Sequence, residues 1–333
     1  MLQRGLALVA LMASLVMSSF AHADVDWGHF KARFLMADGR IIDTGNNNVS
    51  HTEGQGFGML FALAGNDRES FDKMWTWTNT HLKNPKNGLF YWRYNPVAPD
   101  PVEDKNDASD GDVLIAWALL KAGEKWGDPA YFKASDAITN AVIKHTVIDF
   151  AGKKIMLPGA SGFNLNSYVN LNPSYFVFPA WRAFAKRSHL AVWTQLINDG
   201  QSLLKKMGWG EANLPTDWVS LYADGRMEPA KQWPARMSYD AIRIPVYIGW
   251  DQPDSALLMP WRTWFGRFDR LHTPAWVNVN DNQQAPYNMQ GGLLAVRDLT
   301  MGTLTSMETK VTSQDDYYSA SLKLLSAMAA QGM

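Results

Sequence analysis

The strongest helical signal in the sequence lies in the segment ASDGDVLIAWALL, residues 108–120. Its apolar side chains recur at the three- and four-residue spacing of one helix face, at Val113, Ala116, Trp117 and Leu120. The same spacing recurs between residues 27 and 330, with no regular alternation of strands and helices. This pattern predicts one all-α domain of about a dozen paired helices, a number that suits a closed ring of six helical hairpins.

The other elements are predicted from the same periodicity and from turn residues. Apolar stripes mark helices near 27–34, 57–64 and 71–78, and Asp128 followed by Pro129 is a capping pair that opens another. Further helices are predicted near residues 174–187, 190–207, 240–250, 254–268, 288–297 and 314–330. Short strands are predicted at 154–157 and 218–222, and polar loops at 84–87, 95–107, 159–172 and 277–287.

The composition of the 333-residue chain excludes several classes of protein. Hydrophobic residues make up 47% and charged residues 19%, so the chain can bury a large core. The net charge of −1 argues against a nucleic-acid partner, which requires a basic face. The absence of Cys excludes thiol catalysis, disulfides and Cys-ligated zinc. The seven His are scattered and phosphate-binding motifs are lacking, so no metal and no cofactor are predicted.

The N-terminus has the pattern of a secretory signal peptide. Arg4 precedes an apolar stretch at 6–16, and Ala21-His22-Ala23 is a small-x-small cleavage site. The alternative is an uncleaved anchor, but the stretch is shorter than the ~20 residues of a bilayer span. We therefore expect residues 1–23 to be removed and residues 24–333 to form one catalytic domain without a membrane span. The protein is expected to be exported, either secreted or periplasmic.

The segment SHTEGQGFGM, residues 50–59, combines a carboxylate with three glycines inside a predicted helix. Thr52 is the expected N-cap and Glu53 lies in the first turn. Each glycine weakens a helix by about 1 kcal/mol relative to alanine. One interpretation is that the glycines leave room for a substrate to approach Glu53. The other is that Glu53 only complements the helix dipole.

Two further segments carry paired charges. Asp110 is the expected N-cap of the helix in 108–120, with Asp112 at its second position; both could serve the helix end, or one could point into a cleft. Asp240 and Arg243 lie three residues apart and so share a helix face. They form either a surface ion pair worth under about 1 kcal/mol or a general base held by a guanidinium.

Aromatic residues flank these charged segments, and the chain contains 15 Trp. Trp92 precedes the double-Asp helix, Tyr175 follows Ser174 in the segment NPSY, and Tyr317 and Tyr318 follow a second Asp pair. Many of the Trp must be core, whereas a Trp on a loop is a better candidate for stacking on a sugar ring. Carboxylates combined with aromatics in an exported helical protein suit glycoside hydrolysis, in which two carboxyl groups flank the bond.

At these segments the sequence resembles glycoside hydrolase family 8, formerly cellulase family D. The resemblance rests on ASDGD at 108–112 with the apolar positions that follow it, TEGQ at 52–55, NPSY at 172–175, SYDAIR at 238–243 and GRIID at 39–43. It spans most of the chain and is closest to the secreted or periplasmic endoglucanases of enterobacteria, including those encoded beside bacterial cellulose synthase.

The resemblance implies an (α/α)6 barrel with a cleft across one end that cleaves internal bonds of β-1,4-glucan with inversion. It implies Glu53 as general acid, Asp240 as general base and Asp110 at the centre of the site. We interpret Asp110 as holding and distorting the sugar, because water is the nucleophile of an inverting enzyme. We expect a raised pKa at Glu53, and an ionised Asp240 oriented by Arg243.

The expected substrate-binding residues are Asp112, Trp92, Ser174, Tyr175, Tyr239, Arg243, Tyr317 and Tyr318. The motif leaves open whether Asp110 or Asp112 points into the cleft. The expected partner is a β-1,4-glucan polysaccharide. The protein is expected to be a monomer, with loose association with a cellulose synthase apparatus as a further possibility.

Three other functions remain open from the sequence. The substrate could be another β-1,4 polysaccharide such as xylan, chitosan or lichenan, although an Asp240 base favours the cellulase-like branch of the family. A non-catalytic glucan-binding partner of cellulose secretion would need the aromatics without Glu53 and Asp240. An all-α polysaccharide lyase acting on uronic acids would require a basic cleft, which the balanced charge does not favour.

Overall fold

A computed structural model describes residues 25–333; the predicted signal peptide, residues 1–23, lies outside the described residues. The described part contains eleven α-helices, which are α1 (Trp27–Phe34), α2 (Thr52–Ala64), α3 (Arg68–His81), α4 (Ser109–Trp126), α5 (Pro129–Thr146), α6 (Phe178–Ser188), α7 (Ala191–Leu204), α8 (Ile244–Asp251), α9 (Met259–Phe265), α10 (Gly291–Met301) and α11 (Tyr317–Gln331). Every helix predicted from periodicity is present. None of those in the described part is long and apolar enough to cross a bilayer.

The helices pack as consecutive pairs around a ring. Helices α2 and α3, α4 and α5, α6 and α7, and α10 and α11 contact each other as pairs. Around the ring, α2 contacts α4, α4 contacts α6, α6 contacts α8, α8 contacts α11, and α11 returns to α2. The short helix α1 packs against both α2 and α11, which brings the two ends of the described chain together. This arrangement confirms the predicted all-α (α/α)6 barrel.

Helix α4 is a deeply buried wall of this ring. The apolar face predicted from the sequence is buried along its whole length, and the helix packs against both α2 and α5. It ends at Gly127, which has a left-handed conformation with φ of 68° that glycine adopts without strain. Because α4 is fixed on two sides, its first turn is a rigid support for functional side chains.

Residues 25–333 also contain nine short strands, which lie outside the helices of the ring. The pairs β1 (Ser50–His51) with β2 (Arg93–Tyr94), β3 (Val147–Phe150) with β4 (Lys153–Met156), and β8 (Arg236–Met237) with β9 (Val277–Asn278) are antiparallel. A three-stranded antiparallel sheet contains β5 (Tyr168–Leu171), β6 (Val219–Tyr222) and β7 (Met227–Pro229). The predicted strands at 154–157 and 218–222 match β4 and β6, whereas two segments predicted as loops contain β5 and β9.

Candidate active site

The first turns of α2 and α4 meet at one end of the ring. At Gly111 an added Cβ would lie 2.0 Å from Thr52 Oγ1 and 3.0 Å from the Glu53 nitrogen, so the two backbones touch. Only glycine permits such an approach. The contact places Glu53 in the first turn of α2 beside Asp110 in the first turn of α4.

Arg243 joins the carboxylates of this end. Its Nη1 lies 3.0 Å from Glu53 Oε2, and its Nη2 lies 3.0 Å from Asp240 Oδ1 and from Ser174 Oγ. The side chain is only 4% exposed. Removing one partner of a buried ion pair is far more costly than breaking a pair in water. The interpretation of Asp240 and Arg243 as a surface ion pair is therefore wrong.

The loop before α8 is shaped by Asp217, which the sequence analysis missed. Asp217 Oδ1 accepts hydrogen bonds from the backbone nitrogens of Ser238 at 3.0 Å and Ala241 at 2.8 Å. These bonds fold residues 238–241 around the carboxylate and so fix the position of Asp240. Burial, together with the charge of Asp240, raises the pKa of Asp217 to about 6.

Three tyrosines lie around Glu53 and Arg243. Buried Tyr317 donates a hydrogen bond of 3.4 Å to Glu53 Oε1. The Tyr318 hydroxyl accepts from Arg243 Nη1 at 3.2 Å and donates to the Tyr239 carbonyl. Tyr239 itself is 45% exposed. Tyr239 is thus accessible to a substrate, whereas Tyr317 acts on Glu53 from within the protein.

Asp110 lies inside this cluster and does not cap its helix. The N-cap of α4 is Ala108, and Asp110 Oδ1 accepts a 2.8 Å hydrogen bond from the nitrogen of Gly111. The predicted N-cap role of Asp110 is therefore wrong. Burial and the nearby charge of Glu53, with a smaller effect of Asp240, raise its pKa to about 7, although Arg243 opposes this.

The pKa of Asp240 is also raised. Burial is the largest cause, and the charge of Glu53 adds to it, while Arg243 acts in the opposite direction. We expected Arg243 to dominate and to favour the ionised form. The structure shows instead that burial outweighs the guanidinium, so Asp240 takes up a proton more readily than a carboxyl in water.

Asp112 points away from the cluster. It is 0% exposed, and its Oδ1 accepts a 2.9 Å hydrogen bond from the Phe90 nitrogen. Burial and the charge of Asp107 raise its pKa well above the usual range. A sugar cannot reach this carboxylate without displacing the surrounding backbone, so the predicted substrate contact of Asp112 does not fit the structure. Of the two aspartates, Asp110 is the one that lies in the cluster with Glu53 and Asp240, whose charges act on it.

A group of aromatic rings extends from Tyr175. Of its members, Tyr175 was predicted from the sequence, whereas Trp218 and Trp233 were not. The phenol of Tyr175 lies near Asp110 and Asp240, whose charges add to burial in raising its pKa. Its ring is 6.3 Å from Trp218, which stacks in parallel with Trp233 at 4.3 Å. Both tryptophans are half-buried, and Phe163 also stacks in parallel on Trp218, with ring centroids 5.7 Å apart. Their faces could not be recognised in the sequence because they are assembled from separate loops.

Trp92 lies next to the start of α2. Its carbonyl accepts a 3.0 Å hydrogen bond from the Thr52 nitrogen, and its indole nitrogen donates to Asp104 at 2.8 Å. The ring is half-buried. This position leaves the predicted stacking of Trp92 on a sugar geometrically open.

Two adjoining cavities form a cleft beside the cluster. One, of about 410 Å³, is lined by Asp43, Gly45, Asn46, Asp217, Tyr239, Asp240, Arg243, Asp316 and Tyr318. The other, of about 580 Å³, shares Tyr239, Asp316 and Tyr318 with it. Cavities of this size accommodate ligands of several rings. The first cavity has four carboxylates against one guanidinium, so it does not favour an anionic substrate.

Two of the three glycines of α2 serve packing rather than clearance for a substrate. An added Cβ at Gly56 would lie 2.5 Å from Leu114 Cβ of α4, and one at Gly58 would lie 2.8 Å from Ile41 and from Met74. The helices therefore approach more closely than alanine would permit. The expected N-cap Thr52 is also wrong, because α2 begins at Thr52 and the cap is the residue before it.

Known proteins are similar to this chain in sequence and in structure. The protein family described as glycosyl hydrolases family 8 matches residues 2–332. An endoglucanase of Cellulomonas uda is 61% identical over 90% of this chain and 83% of its own length. The crystal structure of the family 8 endoglucanase Cel10 from Klebsiella pneumoniae is 62% identical, with a TM-score of 0.91 over 93% of this chain and 99% of that one.

A more distant structure has the same fold. The endo-β-1,4-glucanase CMCax of Acetobacter xylinum is 35% identical, with a TM-score of 0.86 over 93% of this chain and 99% of that chain. The resemblance inferred from the sequence motifs is confirmed along nearly the whole length. The chain belongs to glycosyl hydrolases family 8.

Proposed function

We propose that this chain is an endo-β-1,4-glucanase that hydrolyses internal bonds of cellulose or a related β-glucan with inversion. The observation that carries the proposal is the pair of carboxylates, Glu53 and Asp240, held on separate nitrogens of the buried Arg243. The names of the similar proteins, endoglucanase and endo-β-1,4-glucanase, support the same activity.

In the proposed reaction Glu53 protonates the glycosidic oxygen as the bond to the anomeric carbon breaks. Asp240 takes a proton from a water that attacks that carbon from the opposite face, so the configuration inverts. Burial and the charge of Glu53 raise the pKa of Asp110 to about 7, so Asp110 can hold a proton near neutral pH beside the proposed acid. We further propose that Asp110 holds the sugar ring.

The proposed roles explain the surrounding tyrosines. Tyr317 and Arg243 fix the two oxygens of Glu53, while Ser174 fixes Arg243. Tyr239 offers exposed aromatic surface in the same cavity as Asp240, as binding of a sugar chain requires.

Two measurements test this proposal. NMR of the first product formed from a soluble cello-oligosaccharide should show the α-anomer, and initial β-anomer would contradict inversion. Glu53→Gln should nearly abolish cleavage of this substrate but retain far more activity on an aryl glycoside whose leaving group needs no proton. Asp240→Asn should lose activity on both, because both require an activated water. Equal losses for both variants would contradict the roles.

A chitosan-hydrolysing activity is the second candidate, and the acidic cleft favours it over activity on uronic acids. Asp43, Asp217 and Asp316 line the same cavity as Asp240 and would attract a cationic amino sugar. Activity on chitosan that falls steeply with salt would support this substrate. A non-catalytic glucan-binding role would be supported only by the absence of reducing-sugar release from every β-glucan tested.

We also propose that residues 1–23 are a cleaved signal peptide and that the exported enzyme is a monomer, either periplasmic or secreted. A loose association with a cellulose synthase apparatus would fit an enzyme that trims the glucan made by the same cell. Mass spectrometry of the protein recovered from cell fractions tests the cleavage and the compartment together.

A further inference from the structure

The N-cap of α2 is His51, a residue type that is uncommon at this position. Its Nδ1 accepts a 3.1 Å hydrogen bond from the Gly54 nitrogen. This bond closes the first turn of α2, and Glu53 lies within that turn. An N-cap satisfies a backbone N–H that has no partner inside the helix. The orientation of the turn that carries Glu53 therefore depends on the His51 ring.

Asp43 determines how the His51 ring carries its proton. Its Oδ2 lies 3.3 Å from Nε2, and its Oδ1 accepts a 3.0 Å hydrogen bond from the Gly45 nitrogen. Because Nδ1 must offer a lone pair to Gly54, the hydrogen of the neutral ring lies on Nε2 and is donated to Asp43. The carboxylate thereby fixes both the tautomer and the rotation of the ring.

The same ring contacts a second support of Glu53. His51 and Tyr317 meet edge to face, with ring centroids 5.3 Å apart, and the Tyr317 hydroxyl donates to Glu53. His51 therefore reaches Glu53 through the helix turn on one side and through Tyr317 on the other. None of these contacts requires His51 to touch the substrate.

We propose that His51, oriented by Asp43, is a positioning residue that holds Glu53 in line with the leaving oxygen. This rests on the proposed role of Glu53 as the acid. The cap exists only while Nδ1 is unprotonated, so a proton on the ring would release the Gly54 N–H and loosen the turn. The charged groups that face the ring are Asp43, Glu53 and Asp110, together with the Tyr317 phenol.

The acidic groups around the His51 ring favour its protonation, which removes the cap as the pH falls. Burial disfavours the charged imidazole, but the hydrogen bond with Asp43 and the charges of Glu53 and Asp110 raise the pKa of His51. Protonation thus competes with capping. Loss of turnover in acid should therefore include a contribution that disappears when the cap is a group that does not titrate.

Three variants separate positioning from stability. His51→Ala removes the acceptor, whereas His51→Asn supplies an amide oxygen that caps nearly as well as any side chain. Asp128→Ala is the matched control, since Asp128 caps α5 through the Ala130 nitrogen at 3.0 Å, and α5 starts at the opposite end of α4 from Asp110. All three are assayed on a cello-oligosaccharide and on an aryl cello-oligosaccharide with an activated leaving group.

We expect His51→Ala to lower kcat on the cello-oligosaccharide by about tenfold to a hundredfold, because a misplacement of about 1 Å has an effect of this size. KM should change little, and the loss should be much smaller on the activated substrate. His51→Asn should restore most of kcat. It should also lose less turnover in acid than the wild-type enzyme, because its cap does not titrate. Asp128→Ala should lower Tm without changing kcat.

The protonation state of the His51 ring can be tested without an activity assay. Nitrogen NMR of the wild-type protein at pH 8 should show His51 protonated on Nε2 and unprotonated on Nδ1. A proton on Nδ1, an Asn variant as impaired as the Ala variant, or equal losses of His51→Ala on both substrates would overturn the proposal. If Glu53→Gln is itself unselective between the substrates, the failure lies in the proposed role of Glu53.

Discussion

Replacing Asp110 by Asn should make the protein more stable and nearly inactive. Asp110 is 4% exposed and is not the N-cap of α4, so the change removes no cap. Asn has nearly the same shape as Asp but stays neutral at every pH. Burial and Glu53 raise the pKa of Asp110 to about 7, so above this pH the folded protein must hold an unfavourable charge that Asn avoids.

The size of the gain follows from the pKa. A change from the usual 3.8 to about 7 corresponds to at most about 4 kcal/mol. Loss of a negative charge in the first turn of α4 removes about 0.3–1 kcal/mol of favourable interaction with the helix dipole. The stabilisation from avoiding the buried charge is therefore larger than the loss at the helix dipole. Because 1 kcal/mol corresponds to about 2 °C in a chain of this size, Tm at pH 8 should rise by several degrees.

The pH dependence has a definite sign. Asp110 has a raised pKa in the folded state, so its favourable contribution is complete below the unfolded pKa and is lost as pH rises to about 7. The Tm advantage of Asp110→Asn should therefore be largest at pH 8 and nearly absent at pH 4. Asp254→Asn, at an exposed position, is the control for the change in net charge and should show no such trend.

Turnover is measured on the same preparations. Contacts that strengthen in the transition state are worth several kcal/mol in glycosidases, so a loss of about 10³-fold or more is expected, with the residual product still inverted. Unchanged Tm at pH 8 together with unchanged turnover would refute the reasoning. Product of retained configuration from the wild-type enzyme would instead make Asp110 a candidate nucleophile.

Substitutions at Asp112, Gly56 and Ser174, with two controls, test packing and support of the site. Asp112→Ala leaves the Phe90 nitrogen without its acceptor and should lower the free energy of unfolding by about 1–3 kcal/mol in urea, whereas Asp112→Asn should lower it less; equal effects would contradict this. Gly56→Ala should cost about 1–3 kcal/mol by forcing α2 from α4, while Gly28→Ala, with nothing within 4 Å, should gain up to about 1 kcal/mol; the reverse order would contradict the packing. Ser174→Ala removes a hydrogen bond to the buried guanidinium, so it should lower kcat about tenfold and the free energy of unfolding by about 1–3 kcal/mol; an unchanged kcat would remove Ser174 from the support of the site.

Helix periodicity predicted the fold well because most of the core is made by contacts within and between neighbouring helices. The stripe in 108–120 is buried as expected in α4, and Asp128 caps α5 before Pro129. Strands β5 and β9 were missed because each is at most four residues long and is defined by a partner far along the chain. Strand pairing of this kind leaves little trace in local sequence.

The candidate site was predicted less completely, since its geometry depends on the ends of helices. A shift of one or two residues in the start of α4 changes Asp110 from a cap into a buried member of the cluster, and the periodic pattern does not define a helix start that closely. Asp217 was missed because its partners are backbone nitrogens of Ser238 and Ala241, which any sequence would supply.

The starts of α2 and α4 favour the carboxylates that they carry. Glu53 and Asp110 occupy the first turns of α2 and α4, where the partial positive charge of each helix favours an anion. Burial works against that charge, and the single guanidinium of Arg243 is shared between Glu53 and Asp240. The opposing effects leave Asp110 with a pKa of about 7, where a proton can be exchanged at neutral pH. Buried carboxylates with perturbed pKa values are typical of functional sites, which supports the roles proposed for them.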